Sequence, residues 1–248
     1  LDRRVAPHVV RADQGEPMPA EQRLGSMAQS MGVALGSMCG GAGVLWLYQL
    51  FGWRPALLTL AADVGADVAI ALDPDADRCA VGIPDTVGWR MLSGDETGWL
   101  LGDFILSRLG QPEAAGAVVA SSVVSSQLLA AIAADHGARH VQTLTGFKWL
   151  ARADDGIPGA RLVYAYEEAI GHCVDPETVR DKDGISAAVL ACDLVSGLGA
   201  RGSSVSAALD ELARRHGVHT TAAVSRAVAT PDEAAAMMAR LRNHPPRE

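Results

Sequence analysis

A chain of 248 residues, 49% hydrophobic and 20% charged, holds enough apolar material for one large or two modest domains and excludes a wholly disordered polypeptide. Its formal net charge of −8, with 21 basic residues gathered into no run or patch, argues against nucleic acid as a partner. Cys39, Cys79, Cys173 and Cys192 lie far apart with no C-x-x-C pair, which excludes a structural zinc motif of that kind and a secreted disulfide framework. A reducing cytoplasm is the expected compartment.

Residues 1–58 form an unassigned, poorly specified segment. Within it, residues 24–53 carry no charged side chain and are long enough to span hydrocarbon of roughly 30 Å. Gly36, Gly40, Gly41 and Gly43, with Ser37 and Gln49, lower the apolarity of that run, so a membrane span is weighed and not adopted. From Pro55 onward helical and strand-like segments alternate in the manner of βα units. Leu57 to Val64 suits a helix closed by Gly65, and Asp67 to Leu72 suits a buried parallel strand. Cys79 to Ile83 and Trp89 to Leu92 pair as a hairpin across the five turn-forming residues between them. Ser93, with Glu96 three residues on, caps a helix whose core stripe is Leu100, Leu101, Phe104, Ile105 and Leu109.

Gln111-Pro112 marks a boundary, after which the alternation restarts. A strand is expected over Ala117 to Ala120 and a helix from Ser126 to His136 closed by Gly137. Strands over Arg139 to Thr143 and Arg161 to Tyr166 follow, then a helix from Gly184 to Gly197. Near the end, Thr230-Pro231-Asp232-Glu233 combines an N-cap, Pro at the first helical position and Glu at the third. The expected fold class is α/β, with two consecutive βα-type domains and mixed sheets.

The most chemically committed stretch follows the strand ending at Leu72. Asp73, Asp75 and Asp77 alternate with Pro74 and Ala76 and are followed by Arg78. Three carboxylates within five residues repel one another and tolerate joint ionisation best around a hard cation such as Mg²⁺, which takes oxygen ligands. An EF-hand is excluded, because Arg78 stands where the sharp turn needs Gly and Pro84 where a bidentate Glu belongs. A haloacid-dehalogenase-like phosphatase, with Asp73 as nucleophile, stays open on this loop alone. Lys148 and Lys182 are the two lysines of the chain and invite attention as positioned ammonium groups.

Five phrases in order bring a larger pattern. DPDADR at 73–78, LSGDETG at 92–98, LTGFKW at 144–149, YEEAIG at 166–171 and RDKDGISAA at 180–188 together resemble the α-D-phosphohexomutase superfamily, the phosphoglucomutases and phosphomannomutases. The wording is most similar to the phosphoglucomutase-2-like and actinobacterial phosphomannomutase branch, and the resemblance covers residues 59 to about 230. It implies that residues 59–110 are the C-terminal part of mutase domain II with its metal loop. Residues 111–230 would then be domain III with the sugar-binding loop, and 231–248 a C-terminal helix and tail.

The resemblance also implies roles. Asp73, Asp75 and Asp77 match the family's Mg²⁺ ligands, and Arg78 matches an arginine that reaches into the active site, although it also suits a counter-ion relieving the carboxylates. Lys148 matches a catalytic-site lysine near the phosphates, against the plainer reading of a surface lysine at a helix start. Glu167 would accept hydrogen bonds from two sugar hydroxyls. Ala169 stands where the commonest family form has Ser, which removes one hydroxyl contact. Glu168 and His172, beside the turn, are expected to be solvated. Arg180, Lys182 and Asp183 either bind substrate phosphate or form a structural ion network.

By the same comparison, the family's phosphoserine loop and its Arg-x-Ser-Gly-Thr phosphate clamp find no counterpart in this sequence. The expectation is a truncated or rearranged mutase-related chain acting on a phosphosugar, glucose or mannose phosphate, with impaired interconversion of hexose 1- and 6-phosphates. A non-catalytic metal- or phosphosugar-binding remnant and an Asp-nucleophile phosphatase are the alternatives.

Overall fold

The computed structural model describes residues 8–10, 52–224 and 227–245. Two four-stranded sheets organise them. The first has order β1-β2-β3-β4, with β1 His8–Val10, β2 Val68–Leu72, β3 Cys79–Asp85 and β4 Gly88–Met91. Every neighbouring pair in it is antiparallel, with His8 opposite Ile70 and Leu72 opposite Cys79. The parallel orientation expected for β2 is therefore corrected. An apolar run signals burial on both faces but not direction, and the connection of residues 73–78 is too short for the crossover that a parallel partner requires. The β3–β4 hairpin is also tighter than expected, because Pro84 and Asp85 stay in the ladder and Asp85 pairs with Gly88.

The second sheet has order β6-β5-β7-β8, with β5 Ala117–Ser122, β6 Arg139–Thr143, β7 Arg161–Glu167 and β8 Gly171–Cys173. Its first three strands are parallel, and β8 folds back antiparallel on β7. Helices are α1 Trp53–Asp63, α2 Gly94–Leu106, α3 Gln111–Gly116, α4 Leu128–Asp135, α5 Phe147–Leu150, α6 Gly184–Ala200, α7 Val205–His216 and α8 Pro231–Asn243. The capping box read at Ser93 is present, with the Ser93 hydroxyl accepting from the Glu96 amide and the Glu96 carboxylate accepting from the Ser93 amide.

Period-two burial distributes the core. On β2, Ala69 faces α1 beside Leu57 and Ala61, while Val68 and Ile70 face a larger core shared with α6. On β5, Val118 and Ala120 face Phe147 and Leu150 of α5, while Ala117 and Val119 face the larger core. That core joins both sheets through α2 and α6, where Leu101 and Leu106 are each 1% exposed. Each such leucine contributes about 1.5–3 kcal/mol by leaving water. Helix α2 packs on β7 and α4 as well as on α6 and α7, so it lies between the sheets. This arrangement brings the loops after β2 and β7 to one place.

Among the described residues no single helix is long and apolar enough to cross a membrane. The uncharged run weighed above lies outside the described residues except for Gly52 and Trp53.

Candidate functional site

The acidic loop begins where β2 ends. A turn closed by the Ala76 amide on the Asp73 carbonyl, 3.0 Å, bends the chain, and Ala76 completes it in the left-handed region at φ 58°. Ligand oxygens of Asp73, Asp75 and Asp77 consequently lie within 4.8 Å of one another. Asp75 is exposed and the other two are half-buried. Arg78 grips Asp73 twice, its amide at 3.0 Å and its Nε at 2.6 Å. Burial pushes the Asp73 carboxyl up, but the hydrogen bonds and charge of Arg78 outweigh it and hold the group below its usual range. Lys182 Nζ stands 2.7 Å from Asp77 Oδ2, and this hydrogen bond raises the ammonium above its ordinary value. Asp77 Oδ1 is buried with no hydrogen-bond partner among the described residues.

That orphaned oxygen and an all-carboxylate donor set fit a hard divalent cation. A buried carboxylate oxygen that has no hydrogen bond and only a 3.6 Å ion-pair contact to Arg78 Nε is expensive, and coordination is one way to satisfy it.

Main-chain contacts fasten this loop to its neighbours. Arg78 forms an antiparallel bridge with Gly171, and the Cys79 amide donates to the Ile170 carbonyl at 3.1 Å. The Gly184 amide, at the start of α6, donates to the Ala76 carbonyl at 3.0 Å. A Cβ on Gly184 would lie 2.7 Å from the carbonyl oxygens of Ala76 and Arg78, so only glycine permits that approach. Asp183 caps α6 by accepting from the Ile185 amide, and its own amide donates to the His172 carbonyl.

Glu167 sits at the end of β7, and its Oε1 accepts from the Gly146 amide at 2.5 Å. Gly146, at φ 116°, supplies a turn that a side chain would strain. Phe147 follows, buried, with Lys182 Nζ 5.4 Å from its ring centroid. Ala169 is exposed at the tip of the loop, and Ile170 adopts the left-handed region at φ 60°, an uncommon state for a β-branched residue. The structure thus brings together Asp73, Asp75, Asp77, Arg78, Glu167, Ala169 and Lys182.

Lys148 and Arg180 stand apart from that contact network. Lys148 is exposed on α5, its ammonium 5.4 Å from the centroid of the Trp149 ring, and no ion pair among the described residues involves it. Arg180 is committed to Asp154, with a 2.7 Å contact to an oxygen that also accepts from the Leu162 amide. The contact is of the kind that the structural-network reading expects.

Solvation of His172 is overturned, and Glu168 is half-buried with one carboxylate oxygen held by the protein. Glu168 Oε2 accepts from Ser122 Oγ at 3.0 Å and Ser125 Oγ at 3.2 Å, and its amide donates to Ser125 Oγ. His172 is fully buried beside Tyr164 and Tyr166, the three rings nearly parallel and set in a triangle with centroids 6.2–6.4 Å apart. Its Nδ1 meets the Tyr164 hydroxyl at 3.0 Å, and burial pushes the imidazole down to about 3. Strand β8, which carries this residue inward, is three residues long and gave no periodic signal.

Sequence reasoning also passed over Asp95, which is 3% exposed and accepts from three donors. The signal was available: an acidic residue one place beyond a glycine at a helix start, inside a phrase that carried no assigned role.

Comparison with known proteins bears on the family and the fold. A family model for the phosphoglucomutase/phosphomannomutase alpha/beta/alpha domain III matches residues 93–216. The chain is 38% identical over 192 residues to the probable phosphomannomutase of Haemophilus influenzae, covering 77% of this chain and 38% of that protein. It is 41% identical over 172 residues to the phosphopentomutase of Mus musculus, covering 66% and 28% respectively. The chain therefore spans well under half the length of these relatives. A solved structure from Thermus thermophilus, named as a phosphomannomutase, shares the fold with a TM-score of 0.51 at 23% identity, over 66% of this chain and 35% of that one. With half of its residues matched by the domain III model, the chain belongs to the phosphoglucomutase/phosphomannomutase family of the α-D-phosphohexomutase superfamily.

Proposed function

We propose that this chain supplies the metal-binding and sugar-binding parts of a phosphohexomutase-type site for a phosphosugar. The observation that carries the reading is the main-chain joint between the acidic loop and the loop bearing Glu167, made by the Arg78–Gly171 bridge and the Cys79–Ile170 hydrogen bond. Two loops of different sheets held in one register suit a ligand with a phosphate at one end and hydroxyls at the other.

Asp73, Asp75 and Asp77 would hold Mg²⁺, which when bound offsets charge on a transferring phosphoryl group. Arg78, kept in place by Asp73, presents its remaining guanidinium nitrogens to phosphate oxygens. Lys148, whose ammonium lies by the Trp149 ring and pairs with no carboxylate among the described residues, would add positive charge for a phosphate only as the family resemblance implies. Glu167 has one oxygen fixed by Gly146 and offers the other to sugar hydroxyls. Ala169 has no hydroxyl of its own, so contact there is limited to its backbone and methyl group. Lys182 orients Asp77, and Arg180 braces the same segment through Asp154 rather than meeting the ligand first.

The Asp-nucleophile phosphatase gains no support from this geometry, whereas a non-catalytic metal- and phosphosugar-binding role would use these same residues. Both oxygens of Asp73 are engaged by Arg78, which does not suit a nucleophile awaiting a phosphate. Calorimetry of the chain with Mg²⁺, then with glucose 1-phosphate, mannose 1-phosphate and ribose 1-phosphate, tests the reading. Ribose 1-phosphate belongs in the set because a similar protein is named phosphopentomutase. Binding of Mg²⁺ and at least one phosphosugar is expected. Asp75→Ala, which removes an exposed ligand and no packing, should weaken Mg²⁺ at least about tenfold without changing the unfolding midpoint. A wild-type chain that binds Mg²⁺ and none of the three sugars would sink the sugar-site reading.

A further inference from the structure

The phrase at residues 92–98 has no part in the chemistry above, yet its helix α2 makes the tightest approach to the sugar loop. A Cβ on Gly94 would lie 2.0 Å from the Glu168 carbonyl oxygen and 2.9 Å from the Ile170 nitrogen. One turn later, a Cβ on Gly98 would meet the Tyr166 ring at 2.5 Å. Between them sits Asp95, whose carboxylate has no cationic partner among the described residues. Its Oδ1 accepts from the Tyr166 hydroxyl at 2.8 Å and the Ser126 amide at 2.9 Å, and its Oδ2 accepts from the Thr221 hydroxyl at 2.5 Å. The amide ends of the first turn of α2 add favourable field to the buried charge.

Packing alone would place an apolar residue at such a position, because a buried carboxylate must replace every hydrogen bond it gives up in water. Here each donor comes from a different element: Tyr166 from β7, Ser126 from the turn into α4, and Thr221 from the segment after α7. Tyr166 immediately precedes Glu167. The loop beyond it holds Ile170 in a left-handed conformation that isolated chain would leave. Ser122 and Ser125 secure the same loop from the next strand through Glu168.

We infer that Asp95 is a positioning residue for the sugar-binding loop, fixing Tyr166, and with it the Glu167 carboxylate, against the α2 N-terminus and the Thr221 segment. The inference rests on the sugar-site reading and adds to it a residue outside the ligand's reach. It makes ligand affinity depend on Thr221 as well, whose hydroxyl hydrogen-bonds Asp95.

Two isosteric variants test this. Asp95→Asn keeps the shape and loses the charge, and Tyr166→Phe keeps the ring against Gly98 and loses one donor. With Mg²⁺ present, glucose 1-phosphate affinity should fall about tenfold in Asp95→Asn and about fivefold in Tyr166→Phe, with Thr221→Val weakened in the same direction. Mg²⁺ affinity should stay at the wild-type value in all three. Peptides covering residues 165–172 should exchange amide hydrogen faster, while those covering the β3–β4 hairpin keep their wild-type rate. If Asp95→Asn fails to fold, Tyr166→Phe and Thr221→Val carry the comparison. Wild-type affinity in folded variants overturns the inference, whatever their melting temperatures, since Asp95 would then stabilise without positioning. If the wild-type chain binds another of the three phosphosugars instead, that sugar replaces glucose 1-phosphate in the comparison, and if it binds none of the three, the sugar-site reading fails separately. Hydrogen exchange over 165–172 then decides the hold by itself, faster exchange supporting it and unchanged exchange overturning it.

Discussion

The two halves of the site are held by opposite means. The acidic loop is wet: its carboxylates are half-buried or exposed, and Arg78 and Lys182 balance them through ion pairs at its surface. The loop bearing Glu167 rests on a dry platform, in which Tyr164, His172 and Tyr166 are sealed from solvent and neutral. Surface ion pairs contribute little to stability and respond to salt, whereas a packed platform contributes much and responds to volume and protonation. The lesson is a division of labour: rigidity comes from the platform, and charge that a ligand can rearrange comes from the loop.

The severest way to break this division is to strike the joint between platform and loop. Gly94→Ala forces a methyl group onto the Glu168 backbone, which cannot swing aside as a side chain would. It should cost about 3 kcal/mol of unfolding free energy in urea titrations. A loss below about 1 kcal/mol would mean that α2 and the loop bearing Glu167 are looser than described.

Acid should separate the platform from the loop next. His172 is buried neutral, its folded pKa depressed to about 3 against about 6.5 in an unfolded chain. Above about pH 6.5 both states are neutral and the residue adds no pH dependence. As pH falls below that, the unfolded chain takes up a proton that the folded one refuses, and stability drops until about pH 3. The expected loss is about 2 kcal/mol at pH 5. A His172→Gln variant, compared with the wild type across pH 5–8, should show a flatter profile, and parallel profiles would remove His172 from the account. Asp73 works in the opposite direction and lower down. Its depressed carboxyl supports the fold above the unfolded value of about 3.9, and that support fades as pH falls through the folded value.

The smallest effect belongs to the wet side. Ala76 holds a left-handed conformation, and Gly there relieves the strain while adding freedom to the unfolded chain. Ala76→Gly should raise stability by about 0.5 kcal/mol, read from thermal unfolding. A drop in stability would show that the turn is not strained.

What the sequence revealed follows the same divide. The capping box of α2, the strand over residues 139–143 and the three aspartates were legible because each is written in adjacent residues. Strand direction at β2 was not, since pairing depends on the length of a connection rather than on the run itself. The helix over residues 205–216 carried readable signals, a Ser204 cap and an apolar stripe through Val205, Leu209 and Leu212, and went unassigned. For His172 and Asp95 the partners were illegible, even though the position of Asp95 at a helix start was not. Their environments are assembled from strands and loops up to 126 residues away in the chain, as the Asp95–Thr221 contact shows.

The joint between the two loops is made of amides and carbonyls, at residues 78, 79, 170 and 171. Every residue except proline carries both groups, so the spacing it sets is indifferent to which side chains decorate the loops. Exposed positions such as Asp75 and Ala169 are therefore free to be exchanged while the gap between the loops keeps its width. A family built on such a gauge can change what it recognises one residue at a time without rebuilding the place where recognition happens.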